Sequence, residues 1–285
     1  MDHLVAVRGL GIVDPGRPVL RADDYGLTRG DGCFETCRLL TDADGRSVVQ
    51  DLDAHLDRLA RSVDALDIVV DLTDCRSLLE EAATGWPDHG EAAIKIMVTR
   101  GPEGGERPSV IVTIRPIGAE SLRQRSEGVR VVTLDRGTSA EAYARTPWLL
   151  GGVKSLSYAL NMAALREAIV RGAEDAIWVS SDAMVLEAPT ATVLWTFADS
   201  PALHTTPIGA SGILSSTTMA RLAVAAERDG LKTETALLPA AALAATASLW
   251  LVSSVRGVAE VVSVNGVARA RDVDLTRRMQ QYAGF

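Results

Sequence analysis

The stretch Gly151-Gly-Val-Lys154-Ser-Leu-Ser-Tyr158 is the most informative part of this 285-residue chain. Two glycines and an apolar residue precede Lys154, so a small molecule can approach the backbone closely there. Thirty-three residues further on, Glu187 lies in the apolar run Met184-Val-Leu-Glu187-Ala-Pro189. A carboxylate in apolar company is costly unless it has a partner. Both side chains are therefore candidates for a functional site. The alternative interpretations are that Lys154 is an ordinary charge at the end of a strand and that Glu187 faces solvent.

Composition and charge indicate a globular protein with one large or two ordinary domains. Hydrophobic residues make up 47% of the chain and charged residues 23%, with a net charge of −8. The basic residues are scattered, which argues against a nucleic-acid partner. No apolar run reaches the roughly 18 to 20 residues of a membrane span. Three cysteines without metal-ligand spacing predict neither a metal site nor a disulfide framework, and they favour a reducing, cytoplasmic location.

The apolar pattern predicts an α/β (α+β) chain in which strands and helices alternate. Helices are predicted over 52–66, 75–84, 155–171 and 216–229. Strands are predicted over 5–13, 33–40, 47–50, 92–99, 109–114, 129–134, 176–179, 184–188, 193–197, 247–253 and 258–264. A polar stretch without an apolar period predicts a domain junction. The expected division is an N-terminal domain over 1–118, a linker over 119–127, and a C-terminal domain over 128–285 that carries Lys154.

Lys154 and Glu187 are the two kinds of group that pyridoxal 5′-phosphate most needs. Its aldehyde binds an amine, and its ring nitrogen is protonated best beside a carboxylate. Its phosphate needs backbone amides, hydroxyls and a cation. The sequence offers Gly212-Ile-Leu-Ser-Ser-Thr-Thr218 before a helix, Arg58 on a helix, and Ser253-Ser254 at a strand end. Each has an ordinary structural interpretation when taken alone, and their joint occurrence favours a cofactor site.

Several sequence blocks, taken in order, resemble the fold-type IV pyridoxal-phosphate enzymes. This family includes branched-chain aminotransferases, D-amino-acid aminotransferases and 4-amino-4-deoxychorismate lyases. The matching blocks are Asp24-Tyr-Gly-Leu-Thr-Arg-Gly-Asp31-Gly-Cys-Phe-Glu35, Asp53-Ala-His55-Leu-Asp-Arg58-Leu, Val98-Thr-Arg100-Gly, Lys154-Ser-Leu-Ser-Tyr158, Gly212-Ile213-Leu214 and Ser253-Ser254. The resemblance implies two α/β domains with the cofactor in the cleft between them, a homodimer, and a small-molecule amino substrate.

The resemblance also implies roles for individual residues. Lys154 would be the Schiff-base lysine and proton carrier, Glu187 would pair with the ring nitrogen, and Tyr158 would lie near the phenolic oxygen of the cofactor. The phosphate would be bound by Arg58, the amides of Ile213 and Leu214, and Ser254. The candidates for binding a substrate carboxylate are Arg29 and Arg107.

Departures from the family pattern favour the lyase branch. Gly212-Ile-Leu-Ser215 stands where many aminotransferases have Gly-Ile-Thr-Arg, Thr192 replaces a common asparagine, and Ser253-Ser254 replaces Gly-Thr. We therefore expect conversion of 4-amino-4-deoxychorismate to 4-aminobenzoate and pyruvate. The alternatives are an aminotransferase for D-amino or branched-chain amino acids, and a cofactor-free dimeric scaffold of the same fold.

Overall fold

The computed structural model describes residues 3–105 and 107–285 and divides into two compact units. The first unit contains the chain up to Gly118 together with Val153–Tyr158, and the second contains Ala119–Gly152 and Ala159–Phe285. This corrects two parts of the expected division. The predicted linker over 119–127 is a helix of the second unit, and the Lys154 segment groups with the first unit instead of the C-terminal domain.

The first unit is a six-stranded antiparallel sheet in the order β2-β1-β6-β5-β3-β4. Its strands are β1 Leu4–Val7, β2 Gly11–Val13, β3 Gly32–Thr41, β4 Ser47–Val49, β5 Gly90–Thr99 and β6 Ser109–Pro116. Its helices are α1 Tyr25–Thr28, α2 Leu52–Ala65 and α3 Leu72–Thr84.

Side-chain alternation gives this sheet two different faces. Ile94, Ile96 and Val98 on β5 are buried in the core that α2 and α3 cover. Because successive side chains of a strand point to opposite faces, Lys95 and its neighbour Phe34 on β3 lie on the other face. That face is therefore available for polar chemistry without disturbing the core.

The second unit is built on an eight-stranded mixed sheet in the order β11-β10-β9-β12-β13-β7-β8, with β14 paired to β13. Its strands are β7 Val129–Asp135, β8 Asp175–Val179, β9 Thr192–Phe197, β10 Ser200–Thr205, β11 Thr233–Thr235, β12 Ser248–Ser253, β13 Gly257–Val264 and β14 Val267–Ala268. Its helices are α4 Ala119–Glu127, α5 Ala159–Val170, α6 Thr217–Arg228 and α7 Val273–Tyr282, with 3₁₀ turns at Pro147–Leu149 and Ala240–Ala245. No helix in the described part of the chain is long and apolar enough to cross a membrane.

Most predicted elements are present, and the differences have local causes. The predicted strand over 5–13 is interrupted by a turn, where Gly9 has φ of 79°. The segment 184–188 is not a strand, because it pairs only through single bridges at Met184 and Val185. The helix expected from 155 begins at Ala159, since the residues before it are bonded to β3.

Candidate active site

The backbone of Lys154 is held by two elements of the first unit. The amide of Phe34 donates to the carbonyl of Lys154 at 2.9 Å, and the amide of Leu156 donates to that of Gly32 at 2.8 Å. The amide of Lys154 itself donates to Oγ of Ser62 on α2 at 3.4 Å. The lysine therefore lies on a short strand-like extension of the sheet, which explains why α5 starts later than its sequence predicts.

The side chain of Lys154 ends beside two aromatic rings. Its Nζ lies 4.6 Å from the ring centroid of Phe34 and 6.0 Å from that of Tyr158. The two rings pack edge to face, with their centroids 5.3 Å apart. Tyr158, predicted to lie near the cofactor's phenolic oxygen, is thus a neighbour of the lysine amine.

Lys95 is a second amine on the same ring, and the sequence analysis did not select it. Its Nζ lies 5.0 Å from the Phe34 centroid, so it is at most 9.6 Å from Nζ of Lys154. Burial, and to a lesser degree the charge of Arg115, lowers the pKa of Lys95. Among the residues that the structure describes, Lys95 forms no ion pair. Its sequence signal was a lone lysine between the core residues Ile94 and Ile96.

Arg58 is fixed by a buried carboxylate. Its Nε donates to Oε1 of Glu35 at 2.7 Å and its Nη2 to Oε2 at 2.6 Å, while Nδ1 of His55 lies 2.7 Å from Oε2. The side chains of Glu35 and Arg58 are 1% and 5% exposed. Burial alone would raise the pKa of Glu35, but the hydrogen bonds and charges of Arg58 and His55 bring it below its usual value. A guanidinium held by two of its nitrogens is well suited to present a fixed charge to an anion.

Glu187 is held by two groups of the second unit. The amide of Leu214 donates to its Oε2 at 3.0 Å. Its Oε1 lies 3.9 Å from Nη1 of Arg136, whose Nη2 donates to the hydroxyl of Tyr143 at 2.9 Å. The amide of Leu214 was predicted to bind phosphate, and in this structure it binds the carboxylate instead. Neither Arg136 nor Tyr143 has a local sequence signal, because Arg136 reaches Glu187 from a distant part of the chain and Tyr143 contacts Arg136.

Hydroxyl groups gather at the N-terminus of α6. Oγ of Ser254 lies 3.1 Å from Oγ1 of Thr218 and 3.5 Å from Oγ1 of Thr217. The helix is capped by Ser216, whose Oγ accepts from the amide of Met219 at 3.1 Å. Hydroxyls at a helix N-terminus suit a phosphate, and the phosphate contact of Ser254 stays a prediction.

Three other predicted ligands are placed less favourably. The amide of Ile213 donates to Oγ of Ser211 at 3.4 Å, within its own loop. Arg29 ends α1 and Arg107 precedes β6, and both side chains are exposed. Their suggested contact with a substrate carboxylate stays a prediction.

Each unit carries groups that fit a part of pyridoxal 5′-phosphate. The first unit carries an amine and a buried guanidinium, Lys154 and Arg58. The second carries a carboxylate, Glu187, with an amide bonded to one oxygen and a guanidinium near the other, and a hydroxyl cluster at a helix N-terminus. These are the groups that an aldehyde, a pyridine nitrogen and a phosphate require.

Comparison with known proteins finds a matching family model and a similar relative. A family model described as amino-transferase class IV matches residues 32–264. The bifunctional aminodeoxychorismate lyase / D-amino acid transaminase of Mycobacterium tuberculosis is 39% identical over 263 residues, which are 90% of this chain and 89% of that protein.

Two solved structures show the same likeness in three dimensions. A hypothetical aminotransferase from Mycobacterium tuberculosis in its PLP-bound form superimposes with a TM-score of 0.91 at 36% identity, covering 99% of this chain and 98% of that one. A fold IV-transaminase from Curtobacterium pusillum gives a TM-score of 0.90 at 37% identity, with the same coverage of both chains.

Proposed function

The chain belongs to the class IV amino-transferase family, and on that premise we propose that it is a lyase acting on 4-amino-4-deoxychorismate. Membership of the family makes it an enzyme that depends on pyridoxal 5′-phosphate. The proposed products are 4-aminobenzoate and pyruvate. The relative from Mycobacterium tuberculosis, named for the lyase and for D-amino acid transamination, supports this choice of reaction.

The observation that carries the proposal is the position of Lys95. The substrate bears two carboxylates, so its site needs a cation near the reactive amine. Lys95 is half-buried, has no ion-pair partner in the described part of the chain, and lies over the same Phe34 ring as Lys154. A desolvated lysine without a carboxylate is unfavourable in the empty protein and is typical of a functional site. An anionic substrate would supply the missing charge.

The chain's own residues have distinct tasks in this reaction. The bound cofactor supplies an electron sink. Nζ of Lys154 takes the proton from the ring carbon that bears the amino group, which is a general-base step. The carboxylate of Glu187 would hold the proton on the cofactor's ring nitrogen, and Arg58 and the hydroxyls near Ser254 would each offer groups to its phosphate. The C–O bond to the enolpyruvyl group then breaks, the ring becomes aromatic, and the proton held by Lys154 completes the methyl group of pyruvate.

Transamination of D-amino acids is the second candidate, because the Mycobacterium tuberculosis relative carries that activity in its name as well. Both reactions begin with removal of a proton by Lys154. They differ in the later steps, since a transaminase requires a 2-oxo acid to accept the amino group.

A product assay separates the two. Purified protein loaded with cofactor is mixed with 4-amino-4-deoxychorismate in the absence of any 2-oxo acid. We expect 4-aminobenzoate and pyruvate in equal amounts. Turnover that begins only when a 2-oxo acid is added would refute the lyase proposal and support the transaminase.

Replacement of Lys154 tests the cofactor linkage in the same preparation. Lys154→Ala should remove both the visible absorption band of the loaded protein and its activity, because the amine that binds the aldehyde is lost. Arg171→Met is a matched control, since this exposed arginine of the second unit pairs with Glu167, one helical turn before it. A Lys154→Ala protein with an unchanged visible spectrum would contradict the assignment.

A second copy of the chain is the proposed partner. The buried residues of α5 are two alanines, while Leu160, Ile169 and Val170 are 55%, 67% and 80% exposed. Such an apolar helix surface favours burial against another protein. Ile169→Glu should reduce the mass measured by light scattering from dimer to monomer, whereas Val69→Glu, at an exposed site of the first unit, should not. A monomeric wild type would refute the dimer.

Two further expectations concern the scaffold alternative and the location. The retained set of Lys154, Glu187 and Arg58 in a member of an enzyme family argues against the cofactor-free scaffold. A cytoplasmic location is proposed as well, and the three cysteines, which are buried free thiols, fit a reducing compartment.

A further inference from the structure

Arg136 lies just beyond the end of β7 and faces the carboxylate of Glu187. The side chains of Arg136 and Glu187 are 15% and 17% exposed, and Nη1 of the arginine lies 3.9 Å from Oε1 of the acid. Among the described residues, this buried Nη1 has no hydrogen-bond partner. Nη1 of this largely buried guanidinium thus lies near the Glu187 carboxylate but is too far from it for a hydrogen bond.

Tyr143 fixes the rest of the guanidinium. Its hydroxyl accepts from Nη2 of Arg136 at 2.9 Å, and its amide donates to the carbonyl of Ala210 at 3.1 Å. Its ring packs so closely on Gly212 that a Cβ there would lie 2.3 Å from a ring carbon. The same loop continues to Leu214, whose amide holds Oε2 of Glu187. One connected group of residues therefore donates to Oε2 of Glu187 and places a cation near Oε1.

We propose that Arg136 is a positioning residue for Glu187. The guanidinium of Arg136 holds one oxygen of the Glu187 carboxylate in place and keeps the carboxylate ionised. The proposal rests on the proposed function in one respect, namely that Glu187 faces the ring nitrogen of the cofactor. Arg136 does not itself touch that nitrogen, because it acts through the acid.

The electrostatic consequence has a definite sign. Arg136 is a cation 3.9 Å from Oε1 of Glu187, and Tyr143 is linked to the acid through Arg136. A cation within about 4 to 6 Å lowers the pKa of a carboxyl group. Removing Arg136 should therefore raise the pKa of Glu187 in the empty protein. In the loaded protein it should raise the pH at which the ring nitrogen loses its proton.

The first experiment uses the cofactor-free protein. Glutamate carrying ¹³C in its side-chain carboxyl group is incorporated, the Glu187 signal is assigned with Glu187→Gln, and its pH titration is followed by NMR. Arg136→Met should raise the pKa of Glu187 by about one unit, a tenfold change in proton affinity. Arg136→Lys, which keeps the charge, should raise it less, and Arg171→Met should leave it unchanged. An unchanged titration in Arg136→Met overturns the proposal.

The second experiment uses protein loaded with cofactor labelled with ¹⁵N in its ring. Arg136→Met should move the titration of the ring nitrogen to higher pH, while a merely structural role would lower thermal stability without moving it. A shift of Glu187 in the empty protein together with an unmoved ring nitrogen would overturn the proposed action on the cofactor. A wild-type protein that binds no cofactor would instead refute the proposed function, and the first experiment would still decide the effect of Arg136 on Glu187.

Tyr143→Phe keeps the test decisive if Arg136→Met does not fold. This variant retains Arg136 and removes only the hydroxyl that accepts from Nη2. The freed guanidinium should hold Glu187 less firmly, so its pKa should rise in the same direction by a smaller amount. No rise in Tyr143→Phe would contradict the positioning role.

Discussion

Replacing Glu35 with glutamine should strongly destabilise the first unit. Glu35 binds Arg58 through both oxygens and also contacts His55, and the side chains of Glu35 and Arg58 are almost fully buried. Glutamine has nearly the same volume, but its NH₂ group faces the donors of Arg58 and its neutral side chain leaves the guanidinium charge uncompensated. Breaking a buried pair from one side costs about 3 to 5 kcal/mol. We expect Glu35→Gln to lower the free energy of unfolding of this unit by about 3 kcal/mol at neutral pH.

The assay must report on the first unit alone, because a chain with two units need not unfold in one step. Trp86 is the single tryptophan of the first unit. Protein labelled with 5-fluorotryptophan therefore allows urea unfolding of this unit to be followed by the ¹⁹F signal of Trp86. Glu91→Gln is the matched control, since Glu91 pairs with Arg38 on the same sheet but is 28% exposed. A partly hydrated pair should contribute about 1 kcal/mol or less.

The pH dependence provides an independent check. The pKa of Glu35 is lowered in the folded protein, so its ionised form contributes stability above the unfolded-state value of 4.5. That contribution is lost as the pH falls through the lower folded-state pKa. The difference between wild type and Glu35→Gln should thus be largest at neutral pH and shrink in acid. A loss below about 1 kcal/mol at pH 7, or a difference that does not change with pH, would refute the reasoning.

Three other outcomes are expected. Gly212→Ala should lower the free energy of unfolding in urea titrations by about 2 kcal/mol, because Gly212 has φ of +69° and an added Cβ would strike the ring of Tyr143. Gly209→Ala is the control and should cost less, since Gly209 has φ of +88° but open space around it. Equal losses in the two variants would contradict the clash. Lys95→Met should raise KM for the dicarboxylate substrate about tenfold with little change in kcat, and an unchanged KM would remove Lys95 from the site. The three buried cysteines should resist alkylation in the native protein at pH 8 and react after urea is added. Burial raises the pKa of Cys33 to about 12, so this thiol is not ionised at pH 8. Rapid labelling of Cys33 in the native protein would show that it is accessible.

Much of the fold could be predicted from the sequence because its signals are local. The pattern of apolar residues marked α2 and α6, and it also marked β3 and β5 of the first sheet. The start of α5 was misplaced for the opposite reason. Residues 155–158 have the local pattern of a helix, and main-chain bonds to β3 override it. The assignment of Lys154 to the C-terminal domain failed with it.

The sequence by itself determined which groups are candidates for the chemistry, because the lysine, the acid and the arginine stand in short blocks that keep their order along the chain. It did not determine how those groups are held. Arg136 reaches Glu187, Lys95 reaches the ring that Lys154 contacts, and Glu35 reaches Arg58, in each case from another element. Such contacts depend on strand pairing and packing between residues distant in sequence, and no local period encodes them. Only the tertiary structure therefore decided the charges and hydrogen bonds under which each group acts.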